Sequence, residues 1–236
     1  MRLLKDKKSG MFFREGTSDI KSIKEVIHVN GYERRGFFKL EPNDKWLDIG
    51  GCVGSFTKIA SERSESVITF EPYSVHFEIL NMNLAGNENV KLVNVGLSTT
   101  DEEKTLYLNT ARQNTWRNSI HKSWQGGTTE KIKIEHIQKW IDKCNAIKLD
   151  AEGVEKEILN WILDNKKLPN KIVFEWSFDI NKHVPDFFSV LNKLEKYYNL
   201  KGVTENYLDK LKPHTTYPST WFPPCAKVFC VRKDLK

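Results

Sequence analysis

The sequence predicts an α/β fold built around a parallel sheet. Short apolar segments alternate with longer amphipathic ones through most of the chain, and strands that alternate with helices pair in parallel through right-handed crossovers. A glycine-rich turn follows the first of these strands, and an acidic residue ends the second, as in nucleotide-binding α/β folds. Ligands of such folds bind at the carboxyl ends of the strands, so we expect the functional site there.

The chain has the length of one α/β domain. Its 236 residues suffice for a sizeable core but not for two such domains with a linker. We therefore expect a single domain over residues 1–236, with an N-terminal arm and helix (1–40) and a core (41–236) that carries an insertion at about 104–134. The 37 basic and 31 acidic residues give a net charge of +6, which is compatible with an anionic substrate or a nucleic acid and requires neither.

Cysteine spacing and hydropathy indicate the compartment. The four cysteines show no Cys-x-x-Cys spacing, which argues against a structural zinc site and favours free thiols in a reducing compartment. Residues 1–8 are charged where a signal peptide would be apolar, and no long apolar run follows. The sequence thus predicts a soluble, cytoplasmic protein with no membrane partner.

The N-terminal segment is expected to cover the domain. Residues 1–16 are basic and glycine-punctuated, which indicates a loose arm that can pack through Met11, Phe12 and Phe13. Apolar residues recur at helical spacing from Asp19 to Val29, so this stretch predicts a helix that covers the core or a cofactor pocket.

The stretch from Lys45 to Phe56 predicts a strand, a turn and a helix around a ligand. The turn glycines lack the Cβ atoms that would keep a ligand away, and the helix Ser55–Arg63 directs its positive dipole end to the same place. Asp48 at the strand end would repel a phosphate and attract a cation. A ligand with both signs of charge, such as S-adenosylmethionine, fits these features.

Two other interpretations of this turn remain. A dinucleotide is disfavoured, because its Gly-x-Gly-x-x-Gly fingerprint needs a glycine where the chain has Cys52. A tight strand-to-helix turn without a ligand is the structural alternative.

The next strand ends favour a nucleoside. The strand Ser66–Phe70 ends in Glu71 and Pro72, where an acidic residue can accept hydrogen bonds from two ribose hydroxyls. The third strand, Val90–Val95, ends where the chain could contact adenine, although a plain loop is an equal interpretation. The candidate cofactor contacts are Asp48, Gly50, Gly51, Cys52, Gly54, Ser55, Phe56, Glu71, Pro72, Asn94, Val95 and Gly96.

The insertion offers candidate substrate contacts. The alternating runs Lys104–Leu108 and Thr128–Ile134 predict two paired strands, joined by the loop Ala111–Gly127. A loop of this length is usually functional or mobile, and its aromatic rings and hydrogen-bond donors suit a sugar or a base. These side chains could equally fix the loop to the domain. The candidates here are Asn114, Trp116, Arg117 and His121.

The remaining chain brings further carboxylates to the same sheet edge. After a predicted helix Glu135–Cys144, the fourth strand ends at Asp150, near Glu152, and a helix is expected from Gly153 to Asn165. The fifth strand ends at Glu175. The last predicted elements are a helix, Pro185–Tyr198, and two strands, Leu200–Thr204 and Ala226–Val231.

Three segments of the chain resemble the FkbM-type methyltransferases, which use S-adenosylmethionine. The segments are Leu47–Gly54, Phe70–Pro72 with asparagines in the following helix, and Ile147–Glu155, whose Asp-x-Glu-Gly-x-Glu run is the most specific. They lie between about residues 45 and 176. The chain departs from the family at Cys52, where the family more often has asparagine.

The resemblance implies a class I (Rossmann-like) methyltransferase fold, a seven-stranded, mostly parallel sheet with helices on both faces and an antiparallel last strand. It also implies O-methylation, often of a sugar hydroxyl on a glycan or glycoconjugate. An alcohol loses its proton as it attacks the methyl carbon, so a carboxylate base is needed. Asp150 is the first candidate and Glu152 the second, with Glu175 as a substrate ligand or a charge at a helix start. A divalent metal between Asp150 and Glu175 is a lesser alternative.

Two rival functions belong to other classes. A 2′-O-methyltransferase acting on RNA is suggested by the basic excess and by Lys148, two residues before Asp150 on the same strand face. The basic residues are not gathered into one patch, which disfavours a nucleic acid. The other rival is a non-catalytic module that binds S-adenosylmethionine.

Overall fold

A computed structural model describes residues 1–109, 115, 117–121, 127–178, 180, 184–202 and 225–235. The described strands, in chain order, are β1 (Leu3–Lys5), β2 (Phe12–Arg14), β3 (Lys45–Ile49), β4 (Ser66–Phe70), β5 (Val90–Val93), β6 (Gly96–Ser98), β7 (Glu102–Tyr107), β8 (Thr129–His136), β9 (Ala146–Leu149), β10 (Lys171–Ser177), β11 (Tyr198–Gly202) and β12 (Cys225–Arg232). The described α-helices are α1 (Asp19–Ile23), α2 (Ser55–Arg63), α3 (Ser74–Leu84), α4 (Glu155–Asp164) and α5 (Val184–Leu194).

A seven-stranded sheet forms the centre of the molecule, with the strand order β11-β12-β10-β9-β3-β4-β5. The neighbouring strands from β10 to β5 pair in parallel, whereas β12 is antiparallel to both of its neighbours. This arrangement confirms the class I methyltransferase fold, including its antiparallel last strand. Because the parallel strands share a direction, their carboxyl ends meet at one edge.

Helices cover both faces of this sheet. Leu47 and Ile49 of β3 pack in one core cluster with Ile158 of α4, whereas Trp46 packs in another with Phe56 of α2. Successive side chains of a strand point to opposite faces, so α4 and α2 lie on opposite sides. Both faces are therefore buried, as the continuous apolar runs predict.

A smaller sheet, in the order β6-β8-β7, contains the predicted insertion. The expected pairing of two strands here is confirmed, because β7 and β8 are antiparallel neighbours. The sequence does not predict β6, which pairs in parallel with the end of β8. Three residues are too few to produce a visible alternation.

The predicted helix Glu135–Cys144 is wrong. The strand β8 continues to His136, because Glu135 and His136 pair with β6. Two separate 3₁₀ turns then follow, Ile137–Lys139 and Ile141–Lys143. The apolar spacing that suggested a helix fits these turns equally well, and tertiary strand pairing decides the outcome.

The N-terminal segment and α5 also differ from the prediction. The first helix is α-helical only to Ile23 and continues as a π-helix, Lys24–His28, in which the Val29 amide donates to the Lys24 carbonyl. The arm is not loose, since β1 and β2 form an antiparallel hairpin. The helix α5 ends at Leu194, because Tyr198 already pairs with β12.

The described helices include none with the length and apolar character needed to span a bilayer.

Candidate active site

A cavity of about 260 Å³ lies at the carboxyl edge of the central sheet, between the π-helix, the small sheet and the strand ends. The sequence-predicted site residues that line it are Gly50, Cys52, Glu71, Pro72, Gly96, Arg117, Asp150, Glu152 and Glu175. The described candidates that do not line it are Asp48, Gly51, Gly54, Ser55, Phe56, Asn94, Val95 and His121. Asn114 and Trp116 lie outside the described residues, so their predicted substrate contacts stay predictions.

The glycine turn is held by the neighbouring strands. The amides of Gly50 and Gly51 both donate to the Phe70 carbonyl, at 3.0 and 2.9 Å. A Cβ atom at Gly50 would stand 1.8 Å from the Asp150 carbonyl oxygen, and one at Gly51 would stand 2.3 Å from Thr69. These two glycines are therefore required by close contacts within the protein, beyond any access they give a ligand.

Asp48 lies beneath the turn. The sequence predicts that its carboxylate faces the cationic part of a ligand, but the side chain is fully buried. Its Oδ2 accepts a 2.7 Å hydrogen bond from Thr57, and its Oδ1 lies 3.1 Å from Lys148 Nζ. The cation that Asp48 meets thus belongs to the protein.

Lys148 is also buried, at 4% exposure. Its Nζ donates to the Gly50 carbonyl at 2.5 Å and lies 3.9 Å from Asp150 Oδ2. Burial by itself would lower the pKa of Lys148, but Asp48 and Asp150 outweigh it and raise that pKa. Lys148 is therefore a charged internal support of the turn, and it is not placed to contact RNA.

Glu71 lines the cavity beside the turn. Its two carboxylate oxygens accept hydrogen bonds from the Cys52 amide at 2.8 Å and from the Tyr73 amide at 2.9 Å. Burial raises the pKa of Glu71 to about 7, against these backbone hydrogen bonds, which lower it. The side chain of Asn94 donates to the Glu71 carbonyl and so holds the backbone at Glu71 in place.

The small sheet supplies an apolar wall. Leu106, Ile132 and Ile134 of its strands face the cavity together with Leu97. Pro72 and Gly96 adjoin this wall, which is suited to the flat face of a base. The side chain of Asn118 also lines the cavity, and its buried Nδ2 has no hydrogen-bond partner among the described residues. A bound ligand can satisfy such a donor.

Carboxylates from the loop after β9 and from β10 gather at the other end of the cavity, where Asp150 is held by Tyr32. The Tyr32 hydroxyl donates to Asp150 Oδ2 at 2.8 Å. Burial and the Asp150 carboxylate raise the pKa of Tyr32 well above its usual value, so the hydroxyl remains a donor. The sequence does not predict this role, because Tyr32 stands in a segment without a site motif.

Glu152 and Glu175 flank Asp150. Glu152 has a left-handed backbone (φ 54°) and contacts Arg117 Nε at 3.3 Å and the Ser177 hydroxyl at 2.9 Å. Glu175 lies 3.8 Å from Lys227 Nζ, which comes from the antiparallel strand β12. Burial and the nearby Asp150 carboxylate raise the pKa of both side chains. This end of the cavity therefore favours hydroxyl donors or cationic groups.

The described part of the insertion loop lies on the Asp150–Glu155 loop. Ser119 pairs with the backbone of Tyr107 and donates its hydroxyl to the Glu152 carbonyl at 2.6 Å. The exposed His121 side chain contacts the Gly153 carbonyl at 3.1 Å. Arg117 thus reaches the cavity, whereas His121 packs outside it.

Within the described residues, no group of three or more histidine, cysteine, aspartate or glutamate side chains could hold a metal ion. Asp150 and Glu175 both line the cavity, but Lys227 already lies beside Glu175. A neighbouring cation makes that pair a poorer metal ligand. Glu155 instead accepts from the Ala151 and Gly153 amides and closes the loop before α4.

The sequence of the chain matches a known protein family. The family model described as the methyltransferase FkbM domain matches residues 48–200. Among functionally curated proteins, none matches the chain. The solved FkbM methyltransferase from Methylobacillus flagellatus KT is 13% identical, with a TM-score of 0.49; the alignment covers 89% of this chain and 52% of that one. The chain thus spans about half the length of that protein.

Two other solved structures are similar in fold. A fibrillarin/Nop5p complex is 13% identical over 91% of this chain and 82% of that one, with a TM-score of 0.50. A Pyrococcus abyssi tRNA (uracil-54, C5)-methyltransferase, solved with S-adenosyl-L-homocysteine, is 12% identical, with a TM-score of 0.45. The alignment covers 98% of this chain and 44% of that one. At 13% identity, the likeness to the fibrillarin/Nop5p complex concerns the fold alone.

Proposed function

Because the chain belongs to the FkbM methyltransferase family, we propose that it transfers the methyl group of S-adenosylmethionine to a hydroxyl of a sugar in a glycan or glycoconjugate. The observation that carries the proposal is the position of Asp150. Its carboxylate lines the cavity at the strand end, with one oxygen held by a buried tyrosine. A carboxylate so placed can accept the proton of an attacking alcohol.

The two ends of the cavity suit the two parts of the cofactor. The apolar wall of Leu106, Ile132 and Ile134 would contact the adenine, and Glu71 would accept hydrogen bonds from the ribose hydroxyls. The carboxylates beside Asp150 would stabilise the positive charge of the amino-acid tail. When bound, S-adenosylmethionine supplies a methyl group on a cationic sulfur.

Asp150 is the better candidate for the base. Both oxygens of Glu152 already have partners, Arg117 and Ser177. The raised pKa of Glu152, about 8, also keeps most of its population protonated at neutral pH. The hydrogen bond from Tyr32 occupies Oδ2 of Asp150, so the proton of the sugar hydroxyl would pass to Oδ1. General-base catalysis of this kind typically contributes about 10² to 10⁴ in rate.

The polar groups around Asp150 suit a polyhydroxylated acceptor. Carboxylates accept hydrogen bonds from neighbouring hydroxyls in pairs, and Glu175 presents such a group to the cavity. Arg117, in contact with Glu152, adds hydrogen-bond donors to the cavity lining. Asn114 and Trp116 complete the proposed acceptor contacts from the insertion loop, whereas His121 packs outside the cavity and is not one of them.

The test is methyl transfer to defined acceptors. The protein is incubated with S-adenosylmethionine carrying a CD₃ group and with three acceptor sets: methyl glycosides, purified glycans and RNA. Mass spectrometry is expected to find the deuterated methyl on a sugar hydroxyl of the first two sets. Labelled RNA ribose would support the nucleic-acid rival, and cofactor binding without transfer to any set would indicate a non-catalytic module.

A further inference from the structure

A buried row of polar side chains joins the N-terminal hairpin to the cavity. It consists of Asp19, Arg14, His76 and Glu71, which are 0%, 8%, 1% and 6% exposed. The first two residues precede the family match at residues 48–200, and the other two lie within it. Buried polar groups are costly unless they are paired, so the arrangement of this row is informative.

Arg14 and Asp19 form a two-pronged ion pair. Nε and Nη2 of Arg14 donate to the two carboxylate oxygens of Asp19, each at 2.8 Å, and the Arg14 amide donates to the same carboxylate. Although burial acts against both charges, the pKa of Asp19 is lowered and that of Arg14 is raised by their contact. The guanidinium is thus charged and fixed in orientation.

His76 receives the next hydrogen bond. Arg14 Nη2 lies 2.6 Å from His76 Nε2, and because a guanidinium only donates, Nε2 must accept. Burial and Arg14 lower the pKa of His76 to about 3, so the ring is neutral and carries its proton on Nδ1. Arg14 therefore determines the tautomer of His76.

The protonated Nδ1 faces Glu71. It lies 3.8 Å from Glu71 Oε1, too far for a hydrogen bond but near enough for the N–H dipole to favour the carboxylate. The same oxygen accepts from the Tyr73 amide, and the Tyr73 ring packs edge-on against His76 at 4.9 Å. The imidazole, which also lines the cavity, thus packs against both the Glu71 carboxylate and the Tyr73 ring.

The hairpin that carries Arg14 is itself anchored. Phe12 exchanges two backbone hydrogen bonds with the side chain of Asn83 in α3, at 2.7 and 3.0 Å, and Asn83 also donates to the Val53 carbonyl. Met11 is buried beneath the hairpin. Arg14 is therefore placed by the same helix that supplies His76.

We propose that Arg14, acting through His76, is a positioning residue that aims the Glu71 carboxylate at the ribose of the nucleoside cofactor. The inference rests on the proposed function for the identity of that cofactor. It makes the segment ahead of the matched domain a working part of the cofactor site.

The test measures recognition of one ribose hydroxyl. Calorimetry determines the dissociation constants of 5′-methylthioadenosine and its 2′-deoxy analogue for the full-length protein. A hydrogen bond to a charged group predicts that the wild type favours the ribose form on the order of tenfold or more. Arg14→Met and His76→Phe should reduce this ratio towards one, as should Glu71→Gln. His76→Gln, which retains an N–H donor, should preserve part of it.

Lys171→Met is the matched control. Lys171 is likewise a buried cation, paired with Asp44 at 3.0 Å, but at the opposite edge of the sheet. Its loss should lower stability without changing the ratio. If Arg14→Met or His76→Phe kept the wild-type ratio while losing stability as Lys171→Met does, the inference would be overturned. If Arg14→Met does not fold, the two His76 variants decide.

The outcomes separate this inference from the proposed function. A wild-type protein that binds neither nucleoside would overturn both, because no ribose would be recognised. A protein that shows the ratio and its loss in the variants, yet methylates no sugar, would support the role of Arg14 and leave only the proposed acceptor contradicted.

Discussion

The Tyr32 hydroxyl donates a 2.8 Å hydrogen bond to Oδ2 of Asp150, across 118 residues of sequence. Tyr32 follows the π-helix ahead of the matched domain, and Asp150 ends the fourth parallel strand of the central sheet. The bond places the N-terminal segment directly behind the proposed base. It also fixes the orientation of the Asp150 side chain, which lines the cavity.

Asp150→Asn is expected to reduce turnover by about 10² to 10⁴, because an amide cannot accept the acceptor proton. Binding of S-adenosylhomocysteine should stay within a few fold of wild type. Transfer is measured with the labelled cofactor, and binding by calorimetry. Asp142→Asn, at an exposed carboxylate paired with Lys167, is the control and should behave as wild type. Unchanged turnover in Asp150→Asn would remove Asp150 from the mechanism.

Tyr32→Phe is expected to lower turnover on the order of tenfold with little change in cofactor affinity, because it removes a hydrogen bond to a charged group. If Tyr32 acts only through Asp150, the substitution should have no further effect in an Asp150→Asn background. Single-turnover rates of the wild type, the two single variants and the double variant measure this coupling.

Tyr198→Phe is the control for this tyrosine. Tyr198 is also buried and donates its hydroxyl to the Pro169 carbonyl at 3.0 Å, away from the cavity. Both substitutions should cost about 1 kcal/mol of stability. Equal losses of turnover in Tyr32→Phe and Tyr198→Phe would show that the effect of Tyr32 is only structural.

Glu71 is expected to make cofactor binding depend on pH. Its pKa of about 7 lies above its ordinary value of 4.5, so below pH 7 the folded protein binds a proton that must be lost before the carboxylate can accept both ribose hydroxyls. Affinity for S-adenosylhomocysteine should therefore rise between pH 6 and pH 8. The stability of the unliganded protein depends on pH in the opposite direction, because the native state holds this proton more tightly than the unfolded chain does. The contribution of Glu71 to the free energy of unfolding therefore falls as pH rises from about 4.5 to 7.

The measurement compares the wild type with Glu71→Gln, by calorimetry and thermal unfolding at several pH values. The difference between the two proteins isolates Glu71, since Glu152 and Glu175 also have raised pKa values. His76, with its pKa lowered to about 3, does not titrate in this range, and Lys148 stays charged. A pH dependence of affinity that is the same in both proteins would contradict the assignment.

Lys148→Met is expected to cost on the order of 3 to 5 kcal/mol of stability, because it leaves the buried Asp48 without its cation. Adding Asp48→Asn should recover part of the loss. Urea unfolding measures both variants. A small loss in the single variant, or a double variant no better than the single one, would show that the pair does not support the turn.

Gly50→Ala and Gly86→Ala distinguish the cost of backbone strain from the cost of a steric clash. Both glycines have a positive φ, of 88° and 86°, but a Cβ at Gly86 meets nothing within 4 Å, whereas one at Gly50 would strike the Asp150 carbonyl. Gly86→Ala should cost about 1 to 2 kcal/mol from backbone strain alone. Gly50→Ala should cost clearly more and weaken nucleoside binding, as measured by unfolding and calorimetry. Equal costs would mean that the Asp150 loop can move aside.

The elements with strong local signals were predictable from sequence. The helix Ser55–Arg63 and the strand Ser66–Phe70 have the predicted bounds, because a glycine turn, apolar spacing and the Glu71-Pro72 corner are all local features. The end of β8 after Ile134 was not predictable, because pairing with the three-residue β6 extends this strand into the segment where helical spacing begins. Strand pairing of that kind depends on residues distant in sequence.

By itself, the sequence determined the family, the order of the strands and helices of the central sheet, and which carboxylates lie near its carboxyl edge. Those properties follow from periodicity and from motifs of fewer than ten residues. Only the tertiary structure decided what each group faces. Asp48 faces a buried lysine, Glu71 faces the imidazole that Arg14 orients, and Asp150 faces the hydroxyl of Tyr32. The physical reason is that charge and hydrogen bonding act over a few ångströms in space, between residues that lie tens to more than a hundred positions apart along the chain.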